Sequence, residues 1–450
     1  MPAPRPVFSF SSPSSSSSPA PGAAAAAAAA ADASSGSGSG ADVVRRRRNP
    51  ADIWSHIHSL MPLRDASRAA CVSRAFLRSW RCHPNLIFRI EEITLVLPLK
   101  HRKVYSFPCS LLFGGSGRSL RYLDINGCSF RPMVGLCLRS LTKLRLCQVR
   151  ITGDELECLL ANTIALKELE LMKCSEIIFL KVPLLKQLSY LNVFACNMLQ
   201  MIEIKALNLS AFNFTGSTVQ FSLGQLLRVK DLNMTCLKKF DVLCYVITKL
   251  PYVVPNVETL VVSSITERVD APMVSAKFLH LKYLSIELAP ACSISPECDY
   301  LSLIYFLDAS PVLETFILRE YMNHCSVFDD ASPMRLMTEH KKHKNLKNVT
   351  MIGFCSAKSM VELTCHILES TTSLECITLD TIASSYENEE DIIDRCCVRG
   401  TRRRECLSIG TEMILEAHRA ILAIERYILG KVPAAVRLDV HRPCTRCHTV

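Results

Sequence analysis

Glycine is scarce, at 16 of 450 residues, against a usual share of ~7%. Four of the sixteen fall within residues 1–48. No G-x-G-x-x-G and no G-x-x-x-x-G-K-[ST] occurs, which excludes the common phosphate-cradling loops. H-E-x-x-H, G-x-S-x-G and paired-carboxylate motifs are missing too, so no catalytic activity and no cofactor are expected. No stretch approaches the roughly 18 apolar residues of a membrane span. Yet 49% of residues are hydrophobic and the mean hydropathy is +0.20. That apolar content must be buried in the fold or against a partner. A secretory leader would need an apolar core near the start. Here Ser and Pro precede a weakly apolar run, Ala23–Ala31. The 22 cysteines are therefore expected in a reducing compartment, as small buried apolar residues.

A basic main domain is lacking as well. The net charge of +10 divides into +3 over residues 1–48, +4 over 49–90, +4 over 391–450 and −1 over the 300 residues between. A nucleic-acid reader carries its basic face on the main domain. Neither a nucleic-acid partner nor a membrane is expected.

Residues 1–48 hold 12 Ser, 13 Ala, 6 Pro and 4 Gly, too little apolar bulk to offset ordering entropy. They read as a disordered tail ending in Arg45–Arg48. That run is either a solvated charge run or a nuclear-import signal, which gives an expected localisation of nucleus and/or cytoplasm.

Residues 49–90 change character. Ile53, Ile57 and Leu60 share one helical face, and Met61-Pro62 ends that helix. Asp65 can cap a second helix over 66–72. Ser73 can cap a third, with Phe76, Leu77 and Trp80 as its apolar stripe. Three helices in about 40 residues bury little surface alone, so the module is expected to dock on something.

From about 91 to 380 an L-x-x-L-x-L unit recurs, often followed by Cys. It runs Leu120-Leu123-Ile125-Cys128, Leu141-Leu144-Leu146, Leu166-Leu169-Leu171-Cys174 and Leu188-Leu191-Val193-Cys196. Further beats start at Leu209, Val229, Val257, Leu281, Leu313, Leu346 and Leu374, at intervals of 20 to 33 residues overall. This period and pattern are the leucine-rich repeat signature. The long late intervals predict insertions or irregular helices. The x positions, among them Arg121, Tyr122, Lys167, Glu168, Glu258, Thr259, Lys282 and Tyr283, are expected to face cargo.

Residues 381–410 read as a charged loop. Residues 411–429 form one helical pattern, with Met413, Ile414, Ala417, Ile421, Ile424 and Ile428 on one side and Gly430 as its cap. This helix is expected to cap the solenoid's open end, ahead of a strand, AVRLDV, and a tail to residue 450. Within that tail His441, Cys444, Cys447 and His448 have metal-ligand chemistry, but they lie within eight residues, and no metal is expected. Cys365-His366 is read as part of an amphipathic helix, and the basic tract 341–344 as a solvated loop.

The run N-P-x-D-I-x-x-x-I-x-S-L-M-P-L-R-D-A-x-x-x-x-x-V-S-x-x-F-x-x-x-W, from Asn49 to Trp80, resembles an F-box. Asn49 departs from the Leu that usually precedes Pro50. With the repeats and the C-terminal stretch, the chain resembles the plant F-box/LRR class with an FBD-like end. The resemblance implies an α/β fold: a three-helix F-box followed by a horseshoe solenoid with irregular late repeats and a C-terminal capping helix. It also implies a substrate receptor in which the F-box docks a Skp-type adaptor of a cullin-RING ubiquitin ligase and the repeats hold an unidentified protein substrate. Carried over by motif position, the adaptor-facing residues are Pro50, Ile53, Ile57, Leu60, Met61, Pro62, Leu63, Val72 and Trp80. A repeat scaffold working outside any ligase is the alternative.

Overall fold

The computed structural model describes residues 91–97, 105–112, 119–133, 135–217, 219–223, 226–237, 242–264, 276–288, 299–321, 334–335, 342–382 and 411–443. The tail, the 49–90 helices with all nine adaptor-facing candidates, nearly all of the 381–410 segment, and Cys444, Cys447 and His448 lie outside the described residues.

In chain order the strands begin with β1 (Glu92–Val96), β2 (Tyr122–Asn126), β3 (Lys143–Cys147), β4 (Glu168–Met172), β5 (Phe179–Val182) and β6 (Tyr190–Phe194). They continue with β7 (Met201–Ile204), β8 (Ala211–Gly216), β9 (Gln220–Leu223), β10 (Asp231–Cys236) and β11 (Thr259–Ser264). The last five are β12 (Tyr283–Leu288), β13 (Thr315–Glu320), β14 (Asn348–Ile352), β15 (Cys376–Asp380) and β16 (Arg437–His441). The helices are α1 (Gly153–Ala161), α2 (Val242–Val253), α3 (Ile304–Ala309), α4 (Lys358–Ser370) and α5 (Thr411–Ala423). All strands but β5, β7 and β9 form one 13-stranded sheet that keeps chain order, and those three form a second sheet. Every pairing in both sheets is parallel. The expected α/β solenoid is therefore present.

Each of the eleven L-x-x-L-x-L beats became a strand of the large sheet, and AVRLDV became its last, β16. The register superposes the repeat on itself: Leu123 lies opposite Leu144, Leu144 opposite Leu169, and Leu169 opposite Leu191. Side chains alternate across a strand, so the two apolar residues of each L-x-L sink together. Leu144, Leu146, Leu169, Leu171 and Leu191 are fully buried, as are the leading Leu141, Leu166 and Leu188. A single repeat cannot cover this face, and stacking does.

A turn with one conformation recurs after the strands. Gly127, Gln148, Lys173 and Ala195 follow β2, β3, β4 and β6, and all have positive φ, at 81°, 51°, 53° and 51°. Each N–H still reaches the next strand: Gly127 to the Cys147 carbonyl at 2.9 Å, Gln148 to Met172 at 2.7 Å, Lys173 to Phe194 at 2.7 Å. The chain thus leaves the sheet without losing a ladder bond. It then drives Cys128, Val149, Cys174 or Cys196 into the core. Cysteine suits this position because it is small and its weak S–H donor finds a carbonyl; Cys174 Sγ donates to Leu146 at 3.5 Å. Burial pushes the Cys128 thiol up to about 12. Seven of the twelve described cysteines are buried, whereas Cys137 and Cys158 are exposed, and all twelve are free thiols.

At the other end of each strand a second ladder binds the repeats. From β2 to β15 the carbonyl of the residue after the leading apolar position of the preceding repeat accepts from two consecutive N–H groups. Arg121 accepts from Thr142 and Lys143, and Lys230 accepts from Glu258 and Thr259. Asparagine side chains reinforce it: Asn208, Asn256 and Asn345 donate to the carbonyls of Lys186, Leu227 and Pro311 in the preceding repeat.

Three of the long intervals hold helices, α2, α3 with its leading turn, and α4; most of the fourth, between β13 and β14, lies outside the described residues. Helices are 10–12 Å wide, whereas strands pair at 4.7–4.9 Å. Helix-backed repeats must therefore splay on the helix side, which puts the large sheet on the inside of the curve. Behind β4, β6 and β8 the backing is instead β5, β7 and β9, whose pairing has the same spacing as that of the large sheet.

Two expectations need correction. The 411–429 helix does not cap the open end. α5 ends at Ala423 and a π-turn over Ile424–Ile428 follows. The Tyr427 carbonyl accepts from Cys365 Sγ of α4 at 3.6 Å, so the helix is the outer layer of the last repeat. β16 then adds a further strand, with Leu438 and Val440 only half-buried. Nor is Gly430 a left-handed cap, since it lies inside a 3-10 turn over Leu429–Lys431 with no positive φ. Cys365-His366 lies, as read, on an amphipathic helix within a repeat, α4, and residues 359–368 of it are all buried, with α3's leading turn and the π-turn after α5 packed against it.

Candidate protein-interaction face

Because the inward positions of the sheet are spent on the core, function has to come from the first, third and fifth residues of each strand. These stand on the face away from the core, and most are half-exposed. Tyr122, Glu168, Thr259 and Tyr283 belong to this face, as the repeat pattern predicted. Arg121, Lys167, Glu258 and Lys282 do not. They precede their strands on the rim, where their carbonyls bind the next repeat. Their side chains there belong to a device the sequence reading missed. From β10 to β15 the rim residue runs Lys230, Glu258, Lys282, Glu314, Lys347, Glu375, alternating in sign. Glu258 bonds Lys230 at 2.7 Å and Lys282 at 3.2 Å, and Lys347 reaches Glu314 at 3.7 Å. The two lysines hold the Glu258 carboxyl below its usual value. These exposed pairs add little strength, but a one-repeat slip would oppose like charges.

The sequence reading also passed over the third residue of each strand, the centre of the face. In register this row runs Asp124, Arg145, Glu170, Asn192, Asn213, Asn233, then Val261, Ser285 and Ile317. Its β2–β4 end is an ion cluster. Arg145 lies 3.7 Å from Asp124 and 3.6 Å from Glu170; Lys143 lies 3.0 Å from Glu170 and 2.8 Å from Glu168. Burial pushes the Asp124 carboxyl above its usual value, and Arg145 and the 3.2 Å bond from the Tyr122 hydroxyl only partly offset that. Bonds to Glu168 and then Glu170 raise Lys143. Across the thirteen strands the face carries eight acidic and four basic side chains: Glu92, Asp124, Glu168, Glu170, Asp231, Glu287, Asp380 and Asp439 against Lys143, Arg145, Arg319 and Arg437. It is net acidic in a chain of net charge +10.

The middle of the row is three asparagines on consecutive strands. Asn213 Nδ2 donates to the Tyr190 hydroxyl at 3.1 Å, and Thr235 donates to Asn233 Oδ1 at 3.4 Å. Among the described residues no bond joins one of these amides to another. Farther on, Ser285 and Ile317 are buried, at 1% and 8% exposure, which closes the polar stretch.

The remaining candidates resolve as structure. Cys365 is buried, and burial raises its thiol above the usual value. In the basic tract, Lys342 and Lys344 are exposed as read. His343 is not: it is buried, 3.7 Å from Asp308, and its N–H bonds Ser370 at 3.0 Å. Among the described residues no His/Cys/Asp/Glu group is arranged to hold a metal, and no helix is long and apolar enough to cross a membrane.

A comparison with curated proteins finds no match. The sequence profile for the At1g61320/AtMIF1 LRR domain matches residues 68–445, from within the 49–90 segment through β16. The match and the repeat geometry agree on a leucine-rich repeat domain, a module suited to protein–protein interaction. On this match, which spans well over half its length, the chain belongs to the At1g61320/AtMIF1 LRR-domain family.

Proposed function

We propose that this chain is the substrate receptor of an SCF-type cullin-RING ubiquitin ligase. The observation that carries the reading is the F-box-like run from Asn49 to Trp80 immediately ahead of a repeat domain. In this reading Pro50, Ile53, Ile57, Leu60, Met61, Pro62, Leu63, Val72 and Trp80 dock a Skp-type adaptor, and the C-terminal region is FBD-like. The outward face of the sheet holds a protein substrate. The chain performs no chemistry itself. It raises the effective concentration of substrate beside the charged enzyme, in the nucleus and/or cytoplasm, with no cofactor, nucleic acid or membrane involved.

Capture of recombinant Skp-type adaptor by the full chain is the test. Binding is expected, and a Leu60→Ala/Pro62→Ala variant should lose it while keeping the circular dichroism of the repeats. No capture by the unaltered chain overturns the reading; unchanged capture by the variant overturns the residue assignment. Asn49, where the F-box pattern has Leu, favours the second reading, a repeat scaffold outside any ligase, which the same capture experiment separates.

A further inference from the structure

Asparagine is disfavoured in strands, and the core gains nothing from Asn192, Asn213 and Asn233, which all face away from it. Three consecutive strands nevertheless place it in one register. An asparagine amide has two donors and an acceptor, which can meet the C=O and N–H groups of an extended peptide backbone. Most of that capacity is uncommitted, because the row spends only one donor on Tyr190 and one acceptor on Thr235.

The platform suits a straight ligand. Two of its three strands, β6 and β8, belong to the strand-backed repeats, and the third, β10, is followed by α2. Asn192 and Asn233 are two strand spacings apart, about 9.6 Å, and three residues of extended chain cover about 10 Å. Beside it, the outward positions of β1–β4 carry four acidic and two basic side chains. Buried Ser285 and Ile317 bound its other end.

We infer that Asn192, Asn213 and Asn233 bind the backbone of an extended, lysine- or arginine-bearing segment of a partner protein, whose basic side chains lie toward the net-acidic β1–β4 end of the face. This rests on the reading that the outward face holds substrate and names the chemistry of what is held.

The probe is a fluorescein-labelled twelve-residue peptide of alternating Ser and Lys, titrated with the full chain by fluorescence anisotropy. Saturable one-to-one binding is expected. Asn213→Ala should weaken it about tenfold, as should N-methylation of alternate backbone amides in the peptide. An alternating Ser/Glu peptide should fail to displace the probe. The inference is overturned by absence of saturable binding, by indifference to either change, or by displacement with Ser/Glu. Tighter binding after Arg45–Arg48 are all replaced with Ser also overturns it, by assigning the site to the chain's own arginine run. Adaptor capture is scored separately. Capture without peptide binding removes this inference and leaves the ligase reading, and peptide binding without capture does the reverse.

Discussion

Arg335 ties α4 to Asp299 through one guanidinium. Its Nε and backbone N–H both bond Glu362 of α4 at 2.8 Å, while Nη1 and Nη2 bond Asp299 at 2.8 and 2.7 Å. Those bonds, to Asp299 first, hold the guanidinium above its usual value. The two carboxylates are not equivalent: the Glu362 side chain is 0% exposed and that of Asp299 is 41% exposed. Arg335→Ala leaves Glu362 a buried charge with only a backbone donor, which costs about 3–5 kcal/mol. Asp299→Ala deletes a pair that faces water and should cost under about 1 kcal/mol. Neutralising the orphan in Arg335→Ala/Glu362→Gln should recover a large part of the loss. Because repeats transmit stability only to their neighbours, the effect should concentrate around α4. Urea midpoints by circular dichroism give the ranking, and amide exchange of residues 358–370 gives the location. An Asp299→Ala loss as large as that of Arg335→Ala, or no recovery in the double variant, would refute the reasoning.

Other consequences follow from the same geometry. Asp124 binds its proton more tightly when folded than when unfolded, so its contribution favours low pH and declines as pH rises above the ordinary Asp value. Asp124→Asn should therefore gain stability relative to the unaltered chain between about pH 4 and pH 7, and a relative loss over that range would contradict this. Thr152 and Glu155 form a reciprocal cap at the start of α1, bonding each other's N–H at 3.3 and 2.8 Å; Thr152→Ala should cost about 1 kcal/mol in denaturant melts. Gly127 needs its positive φ, and Gly127→Ala should cost about 1 kcal/mol. Gly153 needs the missing side chain itself, because a Cβ there would overlap the Phe179 carbonyl oxygen. Gly153→Ala should cost about 1–3 kcal/mol, and a thermal melt unchanged from the parent would show that β5 yields.

The repeat was legible because burial writes itself into spacing. A Leu at each inward position of a strand leaves an L-x-L trace whatever lies between the strands, and the eleven beats with AVRLDV located twelve of the thirteen strands of the large sheet. β1 escaped because its beat opens with Ile90, at the boundary of the preceding segment. The second sheet, β5, β7 and β9, was not legible. Its strands are four residues long and sit where other repeats put helices. The 411–429 pattern showed a helix but not its place, since a helix backing the last repeat and one covering the open end need the same apolar stripe. On the interaction face, counting only the two x positions of each L-x-x-L drew attention to the rim and to the first residue of each strand, while the x inside each L-x-L carries the Asn row. The alternating rim charges could have been found by aligning the beats from Val229 onward and reading the next residue.

The proposed function gives one chain two jobs: adaptor docking by residues 49–90 and partner holding by the outward face of the sheet. The most direct test measures adaptor and Ser/Lys-peptide affinities side by side by biolayer interferometry for the unaltered chain, Leu60→Ala/Pro62→Ala and Asn213→Ala. Loss of adaptor binding only in the first variant, with loss of peptide binding only in the second, is the predicted result. Adaptor binding that survives the 60/62 change but falls with Asn213→Ala would contradict the account.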